Sequence, residues 1–309
     1  MEFKHYSVLL NECLDGLNIN PNGIYVDGTA GGAGHSVHIA EKLDGGKLFA
    51  LDRDPDAVKT AIERLAPFKN AQVIMTNFSD MRSILKQENV DSVDGILLDL
   101  GVSSFQLDNP ERGFSYRNDG QLDMRMSKTG LSAFDVVNDY SVHDLIKIFL
   151  GYGEEKYAKS IAFNIKKERD IEPIKTTNQL AEIIKKSMPA AARRDKNPCK
   201  RTFQAIRIEV NGEMDSLRQG ITEAFEMLGE GGRLVVITFH SLEDRIVKKE
   251  FKRFCTGCVC PPDFPICVCG QTPKAKQITK KPILPSDEEI EENSRSKSAK
   301  LRILEKISD

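Results

Sequence analysis

Between residues 24 and 100 short apolar runs alternate with amphipathic stretches. Ile24-Tyr25-Val26, Lys47 to Leu51, Ala71 to Met75 and Gly95-Ile96-Leu97-Leu98 read as strands, with helices between them. The runs recur about every 20 to 25 residues, the length of a βα unit, and parallel strands need such crossover helices. The pattern predicts the first half of a doubly wound α/β sheet. Pro55 suits the first turn of a helix over Asp54 to Leu65, with Asp54 as its N-cap.

The alternation stops after Leu100. Phe105 to about Asp123 is rich in Gly, Asn, Asp and Arg and reads as an ordered loop or a few turns. Helical periodicity then covers Val142 to Leu150, Tyr157 to Glu168, Asn178 to Lys186 and Phe203 to Leu217. The next buried strand is Gly232 to Phe239, after a helix from Ser216 to Leu228 that ends at Gly229 and Gly231. A helical insertion of roughly 90 residues therefore separates the fourth and fifth strands. The expected division is an α/β domain over 1–108 and 205–309 with an inserted helical domain over 109–204. Ser241 to Asp244 resembles a capping box opening a helix through Phe254. Leu301 to Ile307 alternates as a final strand, and Asp287 to Glu292 reads as a solvated acidic segment.

The 309 residues, 40% apolar and 29% charged, fit a globular protein too long for one unit of about 150 residues. No apolar run approaches the roughly 20 residues needed to cross a bilayer, so a membrane protein is not expected. Seven cysteines without an apolar signal stretch after Met1 point to a reducing cytoplasm rather than a secreted disulfide scaffold.

Val26-Asp27-Gly28-Thr29-Ala30-Gly31-Gly32-Ala33-Gly34-His35-Ser36 lies between the first strand and the first helix of the sheet, where glycines let backbone approach a ligand. A phosphate-binding P-loop needs Gly-Lys-Ser/Thr, and this turn ends Gly-His-Ser. A dinucleotide fingerprint needs a glycine three residues after Gly34, where Val37 stands. The remaining option is an adenosyl cofactor without a diphosphate, S-adenosylmethionine. Its ribose would meet an acidic residue ending the second strand, and Asp52 closes Leu48 to Leu51 there; a carboxylate accepts from both ribose hydroxyls. Phe78, after the third strand, is placed either to pack on the adenine or to join the core.

Asp99 sits at the carboxyl end of the fourth strand, the edge at which open α/β sheets bind ligands. Methyltransferases acting on an exocyclic base amine carry an acceptor here, since the delocalised nitrogen lone pair must pyramidalise while something holds its hydrogen. Their acceptor is typically followed by Pro-Pro and an aromatic. Leu-Gly-Val follows Asp99, so that motif is half matched. Asp99 serves equally as a partner for the methionine amine of the cofactor, and Ser103 or a backbone carbonyl could accept the amine hydrogen instead.

Tyr6 to Leu10, Val26 to Thr29 with Gly34 to Ser36, Leu51 to Pro55, Gly95 to Ser104, Arg112 to Ser115, Leu122 to Met126, Arg201 to Ile208 and Phe239 to Arg245 together resemble the bacterial ribosomal RNA small subunit methyltransferase H family. The resemblance implies a Rossmann-like class I methyltransferase sheet and methyl transfer from S-adenosylmethionine to N4 of one cytidine in the decoding region of small-subunit ribosomal RNA. The partners it implies are the small ribosomal subunit and its RNA. By motif position the cofactor contacts are Ala33, Gly34, His35, Asp52, Phe78, Asp99 and Gln106. Ala33 stands where the family often has glycine. A DNA amino-methyltransferase and a ribosome-assembly factor that holds the cofactor as a structural ligand are the alternatives.

Net charge is −2, but it is unevenly spread. Residues 156–207 hold 14 basic against five acidic residues, and 245–281 hold nine against two, so the remainder carries about −18. Basic segments flanking a catalytic edge suit a phosphate backbone, with Arg193, Arg194, Lys200 and Arg201 as the phosphate candidates. The target cytidine must be unpaired or flipped out to react.

Five cysteines cluster as Cys255, Cys258 and Cys260, then Cys267 and Cys269. Three readings stay open: a zinc knuckle, a metal-free reduced loop and a redox pair. The family resemblance does not call for these cysteines, and no metal is assigned.

Overall fold

The structure is a computed structural model that describes residues 7–194, 197–260 and 269–307. Chain order begins α1 (Leu10–Leu17), β1 (Ile24–Asp27), α2 (Gly34–Glu41), β2 (Lys47–Asp52), α3 (Pro55–Leu65), β3 (Ala71–Met75), α4 (Met81–Gln87) and β4 (Val93–Asp99). Helices follow: α5 (Ser104–Asp108), α6 (Ala133–Asp139), α7 (Val142–Gly151), α8 (Ala158–Arg169), α9 (Thr177–Lys186), α10 (Ala190–Arg193), α11 (Lys200–Asn211) and α12 (Glu213–Met227). The chain closes with β5 (Leu228–Thr238), α13 (Ser241–Cys255), β6 (Ala275–Gln277), α14 (Asp287–Glu292) and β7 (Lys300–Lys306). It divides into two compact units, residues 1–101 with 215–309, and residues 102–214.

In the first unit seven strands form one sheet in the order β3-β2-β1-β4-β5-β7-β6. Strands β1 to β5 are parallel, and β7 runs antiparallel to both neighbours. Period-two alternation sends neighbouring residues to opposite layers. Leu48 and Ala50 of β2 join Tyr25, Leu97 and Val235 against Leu17, Ile39 and Ala61 of α1 to α3. Phe49 and Leu51 join Val26, Ile96 and Leu98 against Leu85 of α4, Phe225 of α12 and Phe251 of α13. Both faces are thereby covered, as a parallel sheet requires. Because β1 lies between β2 and β4, the chain reverses its direction of travel across the sheet there, and the ligand-binding crevice of such folds opens beyond those carboxyl ends. The expected doubly wound sheet is present. Among the described residues no helix is long and apolar enough to cross a membrane.

In the second unit α6 to α9 and α11 pack around Leu145, Phe149, Ile161, Ile165, Leu180, Ile184, Phe203 and Ile206. Its long loop is pinned by buried Arg112, which donates to the carbonyls of Arg125 (2.9 Å) and Met126 (3.1 Å). Asn211 completes the fastening, donating to Met124 O at 2.7 Å and accepting from Met126 N at 2.9 Å. The unit extends beyond residues 109–204 at both ends, since Val102, Leu107 and Val210 pack on this same core.

Local structure departs from the periodicity in four places. Phe203 to Leu217 is not one helix: Gly212, at φ +58°, takes the left-handed C-cap of α11, and α12 starts at the next residue. Strand β5 starts at Leu228, ahead of the glycines expected to precede it, because Leu228 already pairs with Val93. The capping box of α13 is set by His240, whose Nδ1 accepts from Glu243 N, rather than by Ser241. Asp287 to Glu292 is helical, and Glu289 Oε1 accepts from Leu9 N at 2.9 Å. The short β6 gave no apolar signal because only Ala275 of its three residues is buried.

Candidate functional site

Strands β1, β2 and β4 each end in an aspartate: Asp27, Asp52 and Asp99. The turn after β1 is stitched to both neighbours, since Gly28 N donates to Leu97 O and Ala30 N to Leu51 O, each at 2.9 Å. Thr29 Oγ1 accepts from Asp99 N at 2.6 Å. Space at Gly28 is tight: a Cβ there would stand 2.6 Å from Leu98 Cδ2 and 3.1 Å from Phe78 Cβ, so the Leu98 side chain would have to shift. Gly31 and Ala33 both lie in the left-handed region, at φ +51° and +59°. Alanine adopts that conformation at a cost that glycine escapes. Ala33 and Gly34 together open α2.

Asp52 is woven into this turn. Its Oδ2 accepts from Gly31 N and its Oδ1 from Asp54 N, both at 2.8 Å, and a further lone pair remains on each oxygen. Asp54, as expected, caps α3 by accepting from Asp56 N. Buried His35 reaches Val8 O with Nε2 at 3.0 Å, and its Nδ1 stands 3.8 Å from Asp99 Oδ2. Phe78 is half-buried, its ring pressed on Gly220 of α12, where a Cβ would come within 2.3 Å of two ring carbons. The glycine turn, Asp52, Phe78, His35 and Asp99 thus adjoin one another at the carboxyl edge of one sheet.

Ser103 and Gln106 belong to the second unit and form the capping box of α5. Ser103 N donates to Gln106 Oε1 at 3.0 Å, and Gln106 N to Ser103 Oγ at 3.2 Å. The Ser-x-x-Gln spacing carries that signal in the sequence. Arg193, Arg194, Lys200 and Arg201 are all exposed on the second unit, at the end of α10 and the start of α11. Asp195 and Lys196 of the same basic stretch, and Cys267 of the cysteine group, lie outside the described residues.

The sequence reading gave no role to Asp27, Thr29 or Ser36. Asp27 is 1% exposed and accepts from Ser36 Oγ at 2.6 Å and Thr29 N at 3.2 Å. Burial, only partly offset by those two donors, raises its carboxyl from the usual 3.8 to about 6. Between pH about 4 and 6 the folded state then binds more protons than the unfolded chain, so stability falls as pH rises through this window. At neutral pH the shift amounts to about 3 kcal/mol against the fold. Asp27→Asn retains the acceptor for Thr29 N and offers a donor to Ser36. Its stability advantage over the parent in urea unfolding is expected to grow from pH 4 to pH 7; parallel profiles would exclude a titrating Asp27.

Burial, then the charges of Asp27 and Glu243, drive the Asp99 carboxyl well above the usual carboxylate range. Its Oδ1 is buried and has no hydrogen-bond partner. Burial likewise raises Asp52, against the pull of the Asp54 and Gly31 amides. Three desolvated carboxyls with one orphaned oxygen call for a cationic ligand. S-adenosylmethionine, with its sulfonium and α-ammonium charges and its ribose diol, fits that set of acceptors.

The pattern describing the MraW methylase family matches residues 2–307. A curated relative named ribosomal RNA small subunit methyltransferase H 2, from Agathobacter rectalis, is 56% identical, with 99% of each chain covered. Ribosomal RNA small subunit methyltransferase H of Carboxydothermus hydrogenoformans is 54% identical over 100% of this chain and 99% of its own. Among solved structures, an rRNA methylase from Streptococcus thermophilus overlays 97% of this chain and 94% of its own at 10% identity and a TM-score of 0.42. With a match running through both units, the chain belongs to the MraW methylase family and is an S-adenosylmethionine-dependent methyltransferase.

Proposed function

We propose that the chain methylates the exocyclic N4 amine of one cytidine in the decoding region of small-subunit ribosomal RNA, in the cytoplasm. The observation that carries the methyl-donor part of the reading is the buried, unpartnered Oδ1 of Asp99 at the switch point of the sheet, an acceptor for the cofactor's ammonium. The relatives' names supply the ribosomal substrate class. Bound S-adenosylmethionine supplies an electrophilic methyl group on sulfur.

The chain's own residues do the rest. Asp52 accepts from the ribose hydroxyls, already oriented by the amides of Gly31 and Asp54. Ala33, Gly34 and His35 present the start of α2 to the methionyl end, and Phe78 stands against the adenine. Asp99 takes the α-ammonium on its orphaned oxygen, with Thr29 fixing its backbone. Gln106 holds the first turn of α5 as a cofactor contact, and Ser103, the next hydroxyl along the chain, would accept a hydrogen bond from the amine, whose proton passes to solvent once the methyl has transferred. The second unit is the RNA-recognition unit, binding phosphates through Arg193, Arg194, Lys200 and Arg201.

Purified protein added with S-adenosylmethionine to small subunits from cells lacking it is expected to yield methylated cytidine by nucleoside mass spectrometry. Arg193→Glu with Arg194→Glu should weaken binding to the particle about tenfold or more at 0.1 M salt and flatten its salt dependence, with cofactor affinity unchanged. A particle already methylated in those cells would assign the chain to assembly rather than catalysis.

A further inference from the structure

Among the described residues, one cluster of metal-ligating side chains outside the methyl-transfer site is a thiol group between α13 and β6. The Sγ atoms of Cys258, Cys260 and Cys269 all lie within 4.8 Å of one another. Cys258 and Cys269 Sγ are 3.7 Å apart. A disulfide would require about 2.05 Å. A tetrahedral zinc ion with Zn–S bonds of about 2.3 Å sets its sulfurs about 3.8 Å apart, the edge of the tetrahedron. Three mutually close thiols also match a coordination shell better than a dithiol pair, which uses two. From these distances we infer that Cys258, Cys260 and Cys269 form a zinc site.

The surrounding chain is suited to hold one. Cys258 and Cys260 follow the last turn of α13 and Cys269 precedes β6, so one ion would join the two limbs of the connection. That connection is already closed at its base by Lys274 N donating to Phe254 O at 3.0 Å. Binding releases the three thiol protons to solvent, and three thiolates around a divalent cation leave a net charge of −1. Nine basic against two acidic residues over 245–281 suit that surplus. A water or another donor completes the fourth position. Cys255, at the end of α13, is a partly buried thiol outside the cluster, its pKa raised by burial. The ion acts as a clip on this connection and takes no part in methyl transfer.

The test is metal analysis of full-length protein expressed without a metal-affinity tag and purified under reducing conditions without chelator. About one zinc per chain is expected, together with an intense visible cobalt band after exchange that marks tetrahedral thiolate ligation. Cys258→Ser, Cys260→Ser and Cys269→Ser should each lower the retained zinc at least fivefold, while Cys255→Ser retains it. Should those variants fail to fold, a mercurial titrated into the parent protein should release zinc in step with modified thiols, read by a chromogenic chelator. Less than about 0.2 zinc per chain, retention in all three variants, or a mass two units light under oxidising conditions from a Cys258–Cys269 disulfide overturns the site.

Discussion

Asp99→Asn is expected to raise the dissociation constant for S-adenosylmethionine at least tenfold while kcat at saturating cofactor changes severalfold at most. A hydrogen bond between a buried carboxylate and an ammonium contributes about 1.5–3 kcal/mol, and each 1.4 kcal/mol is a factor of about ten. Burial and the charges of Asp27 and Glu243 raise the Asp99 carboxyl in the ligand-free protein, so cation binding expels its proton. Affinity in the parent should therefore improve as pH rises, and Asp99→Asn should flatten that dependence. The opposite split, with affinity preserved and kcat down a hundredfold or more, would reassign Asp99 as acceptor of the amine hydrogen. Calorimetry beside single-turnover kinetics separates the outcomes.

The second large effect is expected at Asp52. Asp52→Ala removes both ribose acceptors and should weaken cofactor binding tenfold or more by calorimetry, leaving the folded state intact. It also strips partners from Gly31 N and Asp54 N, so some stability is lost along with affinity. Asp52→Asn discriminates between the two effects: its amide oxygen still accepts, while its NH2 must face one of those amide donors. An unchanged affinity in Asp52→Ala would remove the ribose assignment whatever the melting temperature does.

The sheet was legible because its signal is local. Strand β3 matches its apolar run at both ends, and Asp54 caps α3 where Pro55 pointed. Chain reversals were less so. Gly212 ends a helix through one positive φ, and apolar spacing on either side gives no notice of it. The carboxylates at strand ends were visible as residue types, which is why Asp52 and Asp99 could be singled out. Asp27 escaped notice because its character comes from complete burial and from Ser36, nine residues on in another element. Gln106 is named by motif position alone, and the structure adds that two of its hydrogen bonds close a helix cap. Three of the clustered cysteines do converge, and sequence spacing alone could not have separated Cys255 from them.

The placement of the helical unit between paired strands bears on synthesis. Strand β4 pairs with β1 on one side but finds its second partner only when β5 is made, for Ile96 pairs with Leu234 across the whole intervening unit. A growing chain thus carries β4 with one edge open through all of residues 102–214. Open strand edges are templates for association with other chains. The helical unit is continuous in sequence and so is suited to fold during that interval, and closure of the sheet must await the C-terminal third. The order in which this enzyme leaves the ribosome therefore completes its helical unit before its sheet.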